Sequence, residues 1–186
     1  MITAGELKNW AYCPRVVYYR RRLGASSVPT YKMKAGTDAQ QMIEKFEARR
    51  SLGKYGFENA KRQRDLWLVD DELGLSGRVD YLLEAEDEAA IVDFKLTASE
   101  PGDNHRLQLA AYAWLVERRL AKPVRRCFIY RIPDDRVYEV VIDERLRAWR
   151  SAALVQIRDL DELPEATAVR GRCTDCEYLN FCGDIW

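Results

Sequence analysis

The sequence predicts an α/β domain in which a mixed β-sheet is flanked by helices. Two observations carry that expectation. Helix-period and strand-period segments follow one another as helix, three strands, helix, two strands, helix, an order that suits one layered sheet. The chain has 186 residues, 47% of them hydrophobic, which is enough to bury one sizeable core and too short for two comfortable ones. A single domain over 1–186 is expected, with its core at about 34–160 between terminal segments at about 1–25 and 165–186.

The elements follow in order after a short helical N-terminus. Gly36 to Arg50 reads as a helix, and Asn59 to Val69 as a first strand that ends in a turn around Asp70 to Gly74. LSGRVDYLLE and AAIVDFKL read as the next two strands, and the acidic run Glu84 to Glu88 between them as a solvated hairpin turn. Asn104 to Leu120 is a helix with Asn104 as its polar cap candidate, Arg118 and Arg119 in its last turn, and Pro123 beyond its end. Val124 to Ile132 and Val137 to Asp143 form a second hairpin around Pro-Asp-Asp-Arg. Leu146, Trp149, Ala153, Ile157 and Leu160 then recur at helical spacing. No internal repeat or low-complexity tract interrupts this order.

Thirty basic and thirty acidic side chains cancel, so net charge announces no polyanion partner, although charge can still be segregated on the surface. The opening MITAGELKNW lacks an apolar h-region, and no run approaches the roughly 18 apolar residues of a membrane span. A cytoplasmic protein without a membrane partner is expected. Five cysteines in a reducing compartment then call for metal binding or burial rather than disulfides.

The chemistry concentrates on the central strands. Side chains alternate along a strand, so Asp93 and Lys95 of Ile-Val-Asp-Phe-Lys share one face while Val92, Phe94 and Leu96 take the other. A hairpin through the acidic turn brings Asp80 of Gly-Arg-Val-Asp-Tyr alongside Asp93. Three charges among Val, Ile and Leu need mutual compensation or a metal ion, because breaking a buried pair costs about 3–5 kcal/mol. Paired carboxylates near a lysine suit metal-assisted phosphodiester hydrolysis: oxygen ligands hold a hard cation, and the lysine orients the attacking water. A plain Asp–Lys salt bridge is the alternative for an isolated Asp-x-Lys. Gln108 and Tyr112, four apart, share a face of the following helix.

Taken in order, Gly-x-Val-Asp, Asp-x-Lys and Gln-x-x-x-Tyr over roughly Gly36 to Ile142 resemble the nuclease core of the RecB-like branch of the PD-(D/E)xK superfamily. The resemblance implies a restriction-endonuclease-like fold. It also implies Asp80, Asp93 and the Phe94 backbone carbonyl as ligands of Mn2+ or Mg2+, Lys95 as the catalytic lysine, and Gln108 and Tyr112 as DNA-contacting or site-steadying residues. One position departs from the pattern. Gln40, four residues after Gly36, stands where such nucleases carry a metal-binding histidine, and its uncharged amide oxygen is a weaker ligand that Glu44, one turn on, can supplement. The only histidine, His105, reads as a surface or capping residue.

Cys127 falls inside a strand and reads as a buried free thiol. Cys13 in Tyr-Cys-Pro-Arg and the C-terminal Cys173, Cys176 and Cys182 can staple the termini around one centre. Four thiolates suit zinc as well as an iron–sulfur cluster, but zinc ribbons use two short knuckles and ferredoxins another spacing. The arrangement of one cysteine before the core and three after it resembles iron–sulfur nucleases, which implies a 4Fe-4S cluster, with 2Fe-2S or zinc as alternatives. With the short length, Tyr-Cys-Pro-Arg followed by Tyr18 and Tyr19, and the C-terminal cysteine triplet, nearly the entire chain resembles the family of the fourth CRISPR-associated protein. That resemblance implies an exonuclease that trims single-stranded overhangs of captured DNA and helps select fragments beside the protospacer-adjacent motif. Its implied partners are DNA, the CRISPR integrase and the integrase's small companion subunit. A RecB-like exonuclease of general repair and a non-catalytic iron–sulfur DNA-end binding subunit are the alternatives. Arg15, Tyr18, Tyr19, Arg20, Arg21 and Arg22 either hold a DNA strand by stacking and charge or form a helix with inward tyrosines and a solvated basic face.

Overall fold

The computed structural model describes residues 1–24, 52–97 and 100–183. The expected helix from Gly36 to Arg50, with Gln40 and Glu44, lies outside the described residues. Six strands form one mixed sheet: β1 (Ile2–Thr3), β2 (Lys61–Asp70), β3 (Leu75–Glu84), β4 (Ala89–Lys95), β5 (Arg126–Arg131) and β6 (Arg136–Val141). β3, β4, β5 and β6 are adjacent in that order. β2–β3, β3–β4 and β5–β6 are antiparallel, whereas β4–β5 and the short β1–β3 pairing are parallel. The parallel β4–β5 pair needs a crossover, and α3 (Asp103–Leu120) supplies it.

α1 (Ala4–Tyr12) starts on a capping box in which Thr3 Oγ1 accepts from the Glu6 amide and Glu6 Oε2 accepts from the Thr3 amide. It breaks at Cys13, where Pro14 opens α2 (Pro14–Arg22). α4 (Glu144–Arg158) is capped by Asp143, whose Oδ1 accepts from the Leu146 amide. The acidic hairpin turn forms as expected, closed by the Ala85 amide donating to Glu88 O, and Lys122 and Arg126 pair with Glu84 and Glu88.

The N-cap of α3 is Gly102 rather than Asn104, and it makes no side-chain cap bond. The helix therefore begins at Asp103, and Asn104 lies inside its first turn. Leu107, Leu109, Ala110, Ala111, Ala113, Leu115 and Val116 are buried on nearly all sides, because α3 is wedged between the sheet and α1 with α4 beside it. Its alanines permit that close approach. The core on this face joins Leu7, Val79, Ile91, Leu107, Ile129 and Leu154. The other face carries an aromatic cluster of Tyr55, Phe57, Tyr81, Phe94, Phe128 and Tyr130. β4 is thus buried on both sides, which makes the polar residues along it costly and informative.

Candidate nuclease site and cysteine centre

Asp93 lies on the helix-facing side of β4, in the alternation of Ala89 and Ile91, at 2% exposure among apolar neighbours. Lys95 comes from the same face, and its Nζ stands 2.7 Å from Asp93 Oδ2. Beyond this ion pair, Asp93 Oδ2 is a buried oxygen with no further donor among the described residues. Burial opposes the charge on Lys95, yet the carboxylates of Asp93 and then Asp80 raise its pKa above the ordinary lysine value.

Asp80 reaches the site by a distortion of β3. Leu75 and Val79 belong to the helix-side core, and strict alternation would send Tyr81 there too, yet Leu82 faces the helices and Tyr81 and Leu83 face away. The slip falls at Asp80. On the partner strand the ladder joins Arg64 to Tyr81 and Leu66 to Val79 but skips Asp65, whose φ is +51°. Beyond the last β3–β4 pair, Tyr81–Val92, the strands separate, and Asp80 Oδ2 accepts from the Phe94 amide at 3.2 Å. Lys95 O accepts from Ile132 on the β5 side, so Phe94, one residue back, turns its amide and its carbonyl toward the gap between β3 and β4. Two carboxylates, a backbone carbonyl and a lysine therefore converge where the ladder opens.

Gln108 and Tyr112 lie together as expected: Gln108 Nε2 donates to the Tyr112 hydroxyl at 3.0 Å, while Gln108 Oε1 is buried without a partner among the described residues. Burial, and then the negative charges of Asp93 and Asp80, push the Tyr112 phenol far above its usual pKa, so it remains a neutral donor. Its ring packs over Gly77, where an added Cβ would lie 2.7 Å from Tyr112 Cε1. The glycine of Gly-x-Val-Asp is thus required by a ring that arrives from α3.

Two residues of this site escaped the sequence reading. His105 makes no cap and is only half-exposed: its Nδ1 is buried without a hydrogen-bond partner among the described residues. Burial, then the nearby cations Lys95 and Lys8, hold its pKa down to about 4, so the ring is neutral near pH 7. Lys8 comes from α1, far away in sequence. Burial and the like charge of Lys95 lower its pKa to about 8, against the pull of Asp93 and Asp80. No local motif marks Lys8, since a lysine on an N-terminal helix reads as solvated.

Cys127 is the buried thiol expected of it, and burial pushes its pKa well up. Cys13, Cys173, Cys176 and Cys182 line one cavity between α2 and the C-terminal segment, together with Tyr12, Val16, Tyr19 and Tyr178. Burial raises the Cys176 pKa, and the neighbouring Cys13 and Cys173 sulfurs raise it further, a repulsion between thiolates that a bound cation would relieve. Among the described residues, no three Cys, His, Asp or Glu side chains stand close enough to share a single ion. The donor set fits a sulfur-bound centre, and the carboxylates with the Phe94 carbonyl fit a hard divalent cation.

The basic, aromatic stretch of α2 is mostly occupied in joining the two ends of the chain. Tyr19 is buried against Tyr178 and packs edge-on to Phe181. Arg15 donates to Pro164 O, Arg20 pairs with Glu177, Arg21 with Glu6, and Arg22 with Asp161. Arg172 donates back to the Ala11 and Tyr12 carbonyls at 2.9 and 2.8 Å. The inward-packing reading therefore holds for Tyr19, and Arg20, Arg21 and Arg22 form an exposed basic face whose guanidinium groups pair with Glu177, Glu6 and Asp161.

A mixed sheet that splays at two carboxylates and a lysine, with Gln and Tyr from the crossover helix, defines a PD-(D/E)xK nuclease, and residues 39–183 match the PD-(D/E)XK nuclease superfamily. CRISPR-associated exonuclease Cas4 of Francisella tularensis subsp. novicida is 32% identical over 98% of this chain and 94% of its own length. Cas4 of Thermoproteus tenax is 24% identical over 99% of this chain and 94% of its own. A Cas4/endonuclease Cas1 fusion of Myxococcus xanthus is 30% identical over 63% of this chain, which spans 22% of that longer protein. The crystal structure of SSO0001 shares the fold at a TM-score of 0.57 and 18% identity, over 97% of this chain and 85% of that one. The chain belongs to the Cas4 family of CRISPR-associated nucleases. No helix among its described residues is long and apolar enough to cross a membrane.

Proposed function

We propose that this nuclease is a metal-dependent DNA exonuclease that trims single-stranded overhangs of captured DNA during CRISPR spacer acquisition and so helps select fragments beside the protospacer-adjacent motif. It works in the cytoplasm as a single domain, with the nuclease core at about 34–160 and cluster-binding segments at about 1–25 and 165–186, and it hands DNA to the integrase and its small companion subunit. The observation that carries the reading is the buried Asp93 carboxylate, ion-paired to Lys95 at 2.7 Å and joined by Asp80 where β3 and β4 part. Two carboxylates converging beside a backbone carbonyl are the oxygen donor set of a hard divalent cation. Asp80, Asp93 and the Phe94 carbonyl would hold Mn2+ or Mg2+, with Gln40 as a further donor; the metal supplies Lewis-acid stabilisation of phosphate charge and a more acidic water. Lys95 orients the attacking water and offsets charge on the phosphate, while Gln108 and Tyr112 hold the strand by hydrogen bonds. The fusion of a Cas4 relative to endonuclease Cas1 supports the integrase as partner.

Cys13, Cys173, Cys176 and Cys182 would hold a 4Fe-4S cluster with a folding role, because phosphodiester hydrolysis transfers no electrons. Support comes from the four thiols around one cavity and from the arginine contacts that draw the chain ends together. The test uses anaerobically purified protein, manganese, and end-labelled single-stranded or overhanged DNA, with Asp93→Ala and Lys95→Ala alongside. Loss of label by wild type alone is expected, and its position on the strand reports polarity. Equal degradation by wild type and both variants would sink the site assignment.

A further inference from the structure

A cleft of about 550 Å³ lies between α1, the first turns of α3 and residues 175–177, with Gln108 of the candidate site in its wall. Lys8, His105 and Gln108 line one end, while Asp175, Cys176 and Glu177 line the other. Three features set the first end apart from an ordinary polar wall. Lys8 makes no hydrogen bond or ion pair among the described residues, although it is half-buried beside a second cation, Lys95. His105 Nδ1 and Gln108 Oε1 are buried polar atoms without partners among the described residues, which native structures rarely leave unfilled. The positive end of α3, an 18-residue helix without a side-chain cap, opens here through Asn104 and His105. An ammonium without an ion pair among the described residues, at a helix N-terminus, calls for an anion, and the unfilled Gln108 acceptor calls for a donor such as a hydroxyl or base amino group. A nucleotide carries both.

We propose that Lys8 contacts a non-bridging oxygen of a phosphodiester in single-stranded DNA, and that the cleft formed with His105 and Gln108 seats the nucleotide flanking the scissile bond. The low pKa of Lys8 fits this role, since a phosphate restores the charge that burial and Lys95 oppose. The inference rests on the nuclease reading and adds a residue from α1 to it.

The experiment measures anisotropy of a fluorescent single-stranded oligonucleotide bound to wild type, Lys8→Met, Lys8→Gln and Lys8→Arg. It is run in calcium over a salt series in which the DNA stays intact, with cleavage rates in manganese measured separately. Losing one phosphate contact should weaken binding about ten-fold and lower the salt slope by about 0.7 in Lys8→Met and Lys8→Gln, with Lys8→Arg restoring the slope. A purely structural role would change melting temperature but leave the salt slope untouched. Should Lys8→Met not fold, Lys8→Gln carries the same comparison. Wild-type affinity and slope in a folded Lys8→Met or Lys8→Gln overturns the inference. Because binding is read without cleavage, a wild type that never degrades DNA sinks the nuclease reading while the slope still decides Lys8.

Discussion

Replacing Gly77 with alanine perturbs the point where the crossover helix meets the strand that bears Asp80. The added methyl would lie 2.7 and 3.0 Å from Tyr112 Cε1 and Cδ1 and 3.2 Å from Ala4 Cβ. The ring cannot swing aside without breaking its bond to Gln108, and it is only 6% exposed. Overpacking of this kind costs about 1–3 kcal/mol. Gly77 does not adopt a positive φ, so alanine is free of backbone strain there, and the lost flexibility of the unfolded chain returns about 0.4–1 kcal/mol. The net loss is about 1–2 kcal/mol, or about 2–8 °C in melting temperature for a domain of this size. Urea unfolding should show a lower midpoint with an unchanged m-value. In a Tyr112→Ala background the ring clash disappears and only the Ala4 contact remains, so the Gly77→Ala cost should fall by about 1 kcal/mol. The same cost in both backgrounds, or a Gly77→Ala protein as stable as wild type, would refute the packing argument.

Cys127→Ala should leave iron content unchanged, because Cys127 lies in the sheet core, whereas Cys173→Ala should lose iron and melt lower; metal analysis of both proteins decides. Glu117 accepts from the Val124 amide and from both Arg147 terminal nitrogens, joining α3, the entry to β5 and α4. Glu117→Ala should therefore destabilise by about 1.5–3 kcal/mol, measured by denaturant unfolding, and a change under about 0.5 would show the cluster to be idle. The folded pKa of His105, about 4, lies below the ordinary 6.5 of an unfolded histidine. The unfolded chain thus takes up its proton first, and stability present above 6.5 is lost as pH falls toward 4. His105→Asn should flatten unfolding midpoints over that window, and an unchanged pH profile would mean that the ring is not buried as described.

The sheet was legible because its strands carry period-two patterns bounded by turn residues, and Asp93 with Lys95 follows from alternation along β4 alone. Asp80 was placed beside Asp93 by the hairpin, but strict alternation did not anticipate the slip of faces at Asp80, which depends on the Asp65 backbone opposite. The cap of α3 was misplaced by two residues because Asn104 is the better capping side chain, while the chain enters the helix through extended Gly102. His105 was misread for a different reason: a histidine near a helix start looks exposed until α1 is packed against it.

By itself the sequence determined what is written in local periodicity and ordered motifs: the α/β class, the carboxylates and lysine on neighbouring strands, the Gln–Tyr pair one helical turn apart, and one cysteine before the core with three after it. Tertiary structure decided everything that depends on residues distant in the chain. It set Lys8 beside Lys95, left Gln108 Oε1 without a partner among the described residues, required Gly77 beneath the Tyr112 ring, and turned Arg15, Arg20 and Arg22 of α2 toward the C-terminal part of the chain. The physical reason is that burial, and the charge that burial makes costly, are properties of what packs around a residue and not of its neighbours in sequence.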